Sequence, residues 1–223
     1  MTDRWATFDC YGTLIDWMSG IRSALARLWP GGDADALLVR YHTLEPAIQA
    51  DSGISYRQVM AQALAGVSDA EGLTLPAGEG DALARSLPSW PVFPEVPASL
   101  AELRARGWGI AILSNTDAAF LDASLAAIGV PVDERIVASE IGSYKPAFEH
   151  WETFFARTGA DRRRHVHVAA SLFHDVQPCA ALGLQCVWIN RAAETSELPR
   201  AGELPDLTAL PDTLDALVPA GDG

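Results

Sequence analysis

Two acidic residues and a lysine have neighbours that suit reactive side chains. Asp9 follows the apolar run 5–8 and precedes Gly12 and Thr13. This pattern predicts a carboxylate on a tight turn at the carboxyl end of a buried strand, the edge where ligands bind in open parallel sheets. An aspartate there can act as a nucleophile. The alternative is an aspartate that only caps a turn, since Asp and Gly are common turn residues.

Three further segments place polar side chains after apolar runs. Ser114 and Asn115 follow the run 109–113 and can offer a hydroxyl and an amide to an anion, or can simply cap the next helix. Lys145 precedes a proline and a helical pattern, although most lysines are surface residues. Asp175 lies six residues beyond the run 165–169. If all these runs are parallel strands, their polar ends meet at one edge of the sheet.

The elements that must position these residues are read from hydrophobic patterning. Continuous apolar runs at 5–8, 109–113, 135–138, 165–169 and 186–189 predict buried parallel strands. Helical patterns at 98–106, 118–128, 148–158 and 176–182 each end at a glycine, a common helix stop. Strands that alternate with helices predict an α/β fold with a doubly wound parallel sheet.

The interval between the first two predicted strands differs from the rest. It contains helical patterns at 21–28, 34–50, 56–65 and 81–86, a loop at 73–80, and a proline-rich linker at 89–97. This organisation predicts a core domain of residues 1–15 and 90–223, and a helical domain of residues 16–89 inserted after the first strand.

Taken in order, these segments resemble the four motifs of the haloacid dehalogenase superfamily. The resemblance rests on Asp9 with Thr13, the Ser114–Asn115 pair, Lys145 before a proline, and Asp175. It implies a Rossmann-like core with a helical cap. It also implies that Asp9 is the nucleophile, that Thr13 orients it, that Lys145 balances its charge, and that Asp175 positions the hydrolytic water.

Two positions place the chain near one branch of that superfamily. Superfamily phosphatases carry a second aspartate two residues after the nucleophile and an acidic residue at the start of the fourth motif. This chain has Tyr11 and Ser171 there, which resembles the L-2-haloacid dehalogenases. The resemblance implies substrate binding by Tyr11, Ser114 and Asn115, and by Arg40 reaching down from the cap. The alternative for Arg40 is a solvated helix residue.

The chain departs from this branch at three positions. Ala170 and Leu172 stand where the dehalogenases carry Ser and Asn, and Trp151 stands where they carry Tyr. Those polar groups help organise the water and the substrate, so these replacements leave the substrate scope open. His174 is interpreted as a polar loop residue beside Asp175. The remaining histidines show no spacing that suggests a site.

The resemblance implies an (S)-2-haloacid dehalogenase, a hydrolase that displaces halide from a small 2-haloalkanoic acid through an aspartyl ester. No cofactor and no metal ligand are expected, because the carboxylates for a magnesium site look incomplete. One alternative is a magnesium-dependent small-molecule phosphatase of the same superfamily. The other is a non-catalytic binding protein on the same fold.

Composition limits the partners. The 223 residues carry a net charge of −13, which disfavours nucleic acids and anionic membranes but allows a small anionic substrate in a local pocket. Three cysteines without metal-ligand spacing, and the lack of a signal peptide or long apolar span, predict a cytoplasmic protein. Homodimerisation stays open.

Overall fold

The computed structural model describes residues 3–50 and 53–221, and it contains one six-stranded parallel sheet. The strands are β1 (Arg4–Phe8), β2 (Trp108–Ser114), β3 (Glu134–Val137), β4 (His165–Ala169), β5 (Gln185–Ile189) and β6 (Gly202–Leu204). Their spatial order is β3-β2-β1-β4-β5-β6, so β1 lies in the middle of the sheet. All five predicted strands are present. The sixth, at the sheet edge, was missed because three residues carry no periodic signal.

Helices cover both faces of the sheet. They are α5 (Val96–Ala105), α6 (Ala118–Ile128), α7 (Ala138–Ile141), α8 (Glu149–Thr158), α9 (Gln177–Leu182) and α10 (Leu210–Leu217). Successive residues of β2 point to opposite faces: Ile110 and Ile112 join one apolar cluster, and Ala111 and Leu113 join the other. The predicted doubly wound α/β fold is therefore confirmed.

Four helices, α1 (Trp17–Leu28), α2 (Ala34–Ala50), α3 (Tyr56–Ala70) and α4 (Ala82–Ser86), lie between β1 and β2, followed by a 3₁₀ turn at Leu87–Ser89. We call α1–α4 the cap. Two backbone hydrogen bonds join the ends of this insertion: Asp16 donates to the Pro91 carbonyl at 2.8 Å, and Phe93 donates to the Leu14 carbonyl at 3.0 Å. The division into a core of 1–15 and 90–223 and a cap of 16–89 stays a prediction, and these bonds support it.

Contacts between the cap and the core hold the start of α3 in place. The carboxylate of Asp117, which follows β2, accepts hydrogen bonds from the backbone N–H groups of Tyr56 at 2.9 Å and Arg57 at 3.1 Å. These are orphan donors at a helix N-terminus, where a negative charge is favourable. The cap thus sits on the sheet edge where the strands β1, β2 and β4 end.

Candidate active site

The loop after β1 presents Asp9 at the carboxyl end of the central strand. Gly12 has φ +96°, a conformation that favours glycine, and it turns the chain back sharply after Asp9. The hydroxyl of Thr13 donates to Asp9 Oδ2 at 3.0 Å and accepts the backbone N–H of Ala170 at 2.9 Å. Thr13 therefore fixes the carboxylate and ties the loop after β1 to the loop after β4.

Lys145 lies between the two predicted catalytic carboxylates. Its Nζ donates to Asp9 Oδ1 at 2.9 Å, to Asp175 Oδ1 at 2.7 Å and to the Leu113 carbonyl at 2.9 Å, which uses all three ammonium donors. Lys145 is 2% exposed. Burial alone would lower the pKa of Lys145, but Asp175 and Asp9 outweigh it and raise the pKa above its usual range. The ammonium therefore stays charged and lies within hydrogen-bond distance of both carboxylates.

Asp175 lies on a single π-helical turn, Leu172–Val176, and is fully buried. Burial alone would raise the pKa of Asp175. The Lys145 ammonium and the hydrogen bond from His167 Nε2, at 3.0 Å, lower it by more than burial raises it, so this pKa lies well below its usual value. Both of these donors bond to Oδ1. Oδ2 has no hydrogen-bond partner among the described residues, and Asp175 lines the cavity beside Asp9.

A buried chain of hydrogen bonds between side chains of β1 and β4 ends at Asp175. Thr7 Oγ1 lies 2.8 Å from His165 Nε2 and 2.8 Å from His167 Nδ1. One assignment satisfies every bond: His165 Nε2–H donates to Thr7, Thr7 donates to His167 Nδ1, and His167 Nε2–H donates to Asp175. Burial lowers the pKa of His165 to about 3, so the ring is neutral at pH 7 and this assignment places its one proton on Nε2.

The spacing of these histidines in the sequence predicted no site for them. Their i, i+2 spacing on β4 places both rings on one face of the sheet, and the register pairs His167 with Thr7 on β1. The signal was present in the His-x-His pattern of a predicted buried strand. It could be interpreted only once β1 and β4 were known to be neighbours.

The two predicted substrate-binding residues after β2 differ in how far their side chains are already hydrogen-bonded. Ser114 Oγ is buried and has no hydrogen-bond partner among the described residues. The Asn115 side chain is engaged instead: its Oδ1 accepts the Lys145 backbone N–H at 2.6 Å, and its Nδ2 donates to the Lys145 carbonyl at 2.9 Å and to Gln49 Oε1 at 3.4 Å. Asn115 thus clamps the Lys145 loop and contacts the cap. Binding of a substrate carboxylate by Ser114 and Asn115 stays a prediction.

Tyr11 stands beside Asp9 and lines the same cavity. Its hydroxyl lies 3.0 Å from Ser124 Oγ, and its ring contacts the Trp90 ring edge-on with centroids 6.0 Å apart. Burial raises the pKa of Tyr11 far above its usual value. The phenol therefore stays neutral and cannot serve as a general acid at neutral pH.

A cavity of about 600 Å³ connects these groups. Asp9, Ser114, Asn115, Lys145 and Asp175 line it from the core. The cap contributes Trp17, His42, Glu45, Gln49 and Tyr56. The structure thus brings together Asp9, Lys145, Asp175, Ser114, Asn115 and Tyr11, and Thr13 supports them from behind the Asp9 carboxylate.

Arg40 does not lie in the cavity, so its predicted position is wrong. Its side chain is 46% exposed on the outer side of α2 and donates from Nε to Glu71 Oε1 at 2.8 Å. The reason is helical geometry. The buried face of α2 carries Tyr41, Glu45 and Gln49, and the Arg40 side chain points away from this face. The alternative of a solvated helix arginine is the one observed.

The three positions that depart from the dehalogenase pattern fall in two places. Ala170 and Leu172 line the cavity. The loop residue His174 lines it too, and its Nδ1 lies 3.1 Å from Ser171 Oγ. Trp151 is fully buried on α8 and packs edge-on against His167 with ring centroids 5.3 Å apart. Trp151 therefore acts from behind the His167 ring, outside the cavity.

A metal site and a membrane-spanning helix are two features that other functions would require. Residues 3–50 and 53–221 contain no group of three or more His, Cys, Asp or Glu side chains arranged to hold a metal ion. Within the same ranges, no helix has the length and apolar character needed to cross a membrane.

Comparison with known proteins establishes the family. A family model described as haloacid dehalogenase-like hydrolase matches residues 4–183, so the chain belongs to this family and is a hydrolase. Haloacetate dehalogenase H-2 of Moraxella sp. (strain B) is 30% identical, over 95% of this chain and 94% of that protein. The (S)-2-haloacid dehalogenase of Pseudomonas sp. (strain YL) is 29% identical, over 89% of this chain and 87% of that protein. The predicted family resemblance is confirmed.

Solved structures show the same fold. A dehalogenase with an intermediate complex aligns with a TM-score of 0.85 and 22% identity, over 99% of both chains. The L-2-haloacid dehalogenase of Xanthobacter autotrophicus with covalently bound chloropropionic acid aligns with a TM-score of 0.83 and 20% identity, over 94% of this chain and 97% of that one.

Proposed function

We propose that this hydrolase is an (S)-2-haloacid dehalogenase that works through a covalent ester on Asp9. The observation that carries the proposal is the Asp9–Lys145–Asp175 arrangement, with the neutral phenol of Tyr11 where a phosphatase would need an acid. The names of the similar proteins support the same substrate class.

In the first step, an Asp9 carboxylate oxygen attacks C2 of the haloacid opposite the carbon–halogen bond. The C–O bond forms as the carbon–halogen bond breaks, halide leaves with the electron pair, and the configuration at C2 inverts. The hydrogen bonds from Lys145 and Thr13 fix the rotation of the Asp9 carboxylate, so that the nucleophile is oriented before the substrate enters.

In the second step, water attacks the carbonyl carbon of the Asp9 ester. Asp175 Oδ2, which has no hydrogen-bond partner among the described residues, accepts a hydrogen bond from this water and orients it, and the proton that the water loses passes to solvent. The Lys145 ammonium, 2.9 Å from Asp9 Oδ1, lies where negative charge develops in this step. As the intermediate collapses, its bond to the substrate oxygen breaks and its remaining hydroxyl proton passes to that oxygen, which releases the 2-hydroxy acid and restores the Asp9 carboxylate.

The donor set does not favour the phosphatase alternative. The ammonium of Lys145 bonds to one oxygen of Asp9 and of Asp175, the two carboxylates that a magnesium ion would share. Tyr11 and Ser171 provide no further carboxylate at the other two expected positions. The proposed reaction therefore uses no cofactor and no divalent cation.

The cellular location and the binding partners are proposed on the same grounds. The proposed substrate is a small anion, and the proposed location is the cytoplasm, where the unpaired thiols of Cys10, Cys179 and Cys186 stay reduced. All three thiols are buried as small apolar groups. Whether the chain forms a homodimer stays open.

A single turnover in heavy-oxygen water tests the covalent step. With enzyme in excess over (S)-2-chloropropionate, the heavy oxygen should appear in Asp9, located by peptide mass, and the first product should be unlabelled. Asp9→Asn is the control and should release no halide. If the label appears in the first product and not in Asp9, water attacks C2 directly and the covalent mechanism is wrong.

A further inference from the structure

Helix α2 of the cap places a carboxyl group in the cavity, that of Glu45. Glu45 is 5% exposed and lines the cavity together with Asp9. Its Oε1 accepts hydrogen bonds from Tyr56 Oη at 2.9 Å and from Gln49 Nε2 at 3.1 Å. Oε2 has no hydrogen-bond partner among the described residues. Two neutral donors therefore fix the group and leave one oxygen for a molecule in the cavity.

The Glu45 carboxyl has no cationic partner among the described residues. Burial raises the pKa of Glu45 to about 7, although the hydrogen bonds from Tyr56 and Gln49 act in the opposite direction. The group is thus partly protonated at neutral pH. A protonated carboxyl can donate a hydrogen bond through its O–H, which an ionised carboxylate cannot.

The charged groups around the cavity explain why this donor matters. The other ionisable side chains that line it are Asp9, Asp16, Tyr11, His42, Tyr56, Lys145, His174, Asp175, Arg191 and Glu194. Lys145 uses its three donors on Asp9, Asp175 and the Leu113 carbonyl. Arg191 Nη2 bonds to Glu95 at 2.6 Å, while Arg191 Nε has no partner among the described residues. A substrate carboxylate in this cavity therefore gains from a neutral donor, because Lys145 has no donor left and Arg191 already shares its charge with Glu95.

We propose that protonated Glu45 donates a hydrogen bond to the carboxylate of the bound 2-haloacid and makes anion binding by this site dependent on pH. Glu45 would then be a specificity-determining residue contributed by the cap, in the place where Arg40 was expected. This inference rests on the proposed function, because it takes a 2-haloacid as the substrate.

The sign of the pH dependence follows directly. Ionised Glu45 repels the substrate carboxylate, so only the protonated form binds, and the apparent Kd rises as the protonated fraction falls. With a pKa of about 7, this fraction falls roughly 20-fold between pH 6.5 and pH 8.5. His42 and His174 interfere little in this range, because burial lowers the pKa of each.

Calorimetric binding to the Asp9→Asn variant, which cannot turn over, tests the inference. The Kd for (S)-2-chloropropionate should weaken roughly 20-fold from pH 6.5 to pH 8.5, and that for neutral (S)-2-chloropropionamide should stay constant. Adding Glu45→Gln, which keeps a donor but cannot ionise, should remove the pH dependence. Adding Glu71→Gln, a neutral exchange at a partly exposed glutamate of the cap, should preserve it.

A second measurement needs no substitution at Glu45. Titrations at pH 8.5 in two buffers of different ionisation enthalpy should show the uptake of nearly one proton per chloropropionate bound. Absence of proton uptake, a constant Kd across the pH range, or an unchanged pH dependence in Glu45→Gln would each overturn the role of Glu45. Failure of the proposed function would be seen separately, as the absence of heavy oxygen in Asp9 of the wild-type enzyme.

Discussion

Replacing Thr7 by valine tests whether the buried histidine chain positions Asp175. Valine has nearly the shape of threonine, so the exchange removes the hydroxyl that joins His165 Nε2 to His167 Nδ1 and little else. Each ring nitrogen then loses its partner in a fully buried place. An unsatisfied buried polar group costs about 1–3 kcal/mol, so Thr7→Val should lower the free energy of unfolding by about 2–5 kcal/mol.

The effect should extend to Asp175. With the Thr7 hydroxyl gone, Asp175 still favours the tautomer of His167 that donates from Nε2, but Nδ1 has no donor to fix the ring, so the hydrogen bond to Asp175 Oδ1 weakens. A hydrogen bond to a charged group is worth about 1.5–3 kcal/mol, which corresponds to about one to two units in the pKa of Asp175.

The sign of the pH dependence follows from linkage. The pKa of Asp175 is lowered in the folded state, so its contribution to stability is present above the unfolded pKa and is lost as pH falls through the folded pKa. In Thr7→Val the folded pKa rises, which reduces that contribution. The part of the stability difference that comes from Asp175 should therefore be full at pH 7 and shrink only as the pH falls through the folded pKa of the variant, which lies below the ordinary aspartate value of about 4.

Two assays measure these effects. Urea unfolding at pH 7 and pH 3.5 gives the stability difference, and Thr7→Ser, which keeps the hydroxyl, is the matched control. Rapid-quench single turnover gives halide release and ester hydrolysis separately, and Thr7→Val should slow hydrolysis more than halide release. Equal unfolding free energies for wild type and Thr7→Val, or equal slowing of both steps, would refute the reasoning.

Three further predictions concern the site and the cap. Lys145→Met should destabilise the fold by about 3–5 kcal/mol in urea unfolding and abolish halide release, because two carboxylates lose their shared cation; normal turnover would remove Lys145 from the mechanism. Arg40→Ala should keep halide release within twofold and change stability by less than about 1 kcal/mol, because its ion pair with Glu71 is solvent-exposed; a tenfold loss would return Arg40 to the site. Dialysis against chelator should leave halide release intact, and a strict magnesium requirement would instead favour the phosphatase.

The strand-end residues could be predicted because their positions follow from few rules. A continuous apolar run is a buried strand, parallel strands end at one edge, and a polar residue after such a run must lie at that edge. These rules brought Asp9, Ser114 and Lys145 together before the strand order was known, and the structure places them around one cavity.

Contacts that depend on strand order could not be predicted in this way. The hydrogen bonds of Thr7 to His165 and His167 require β1 to lie beside β4 in one register, and neither fact is written in any local pattern. The three-residue β6 was missed for a related reason, because an edge strand with one neighbour needs no periodic apolar stripe.

The cap shows why distance along the chain is a weak guide to function on a helix. Each residue of α2 turns by about 100°, so Arg40 and Glu45, five residues apart, point about 140° away from each other. The i, i+4 series of Tyr41, Glu45 and Gln49 instead shares one buried face. The available signal for a site was that Glu45 and Gln49 continue the buried stripe that Tyr41 begins, because polar side chains are buried only when they have partners. The core thus positions the proposed nucleophile, while the rotation of α2 determines which cap residues face the cavity.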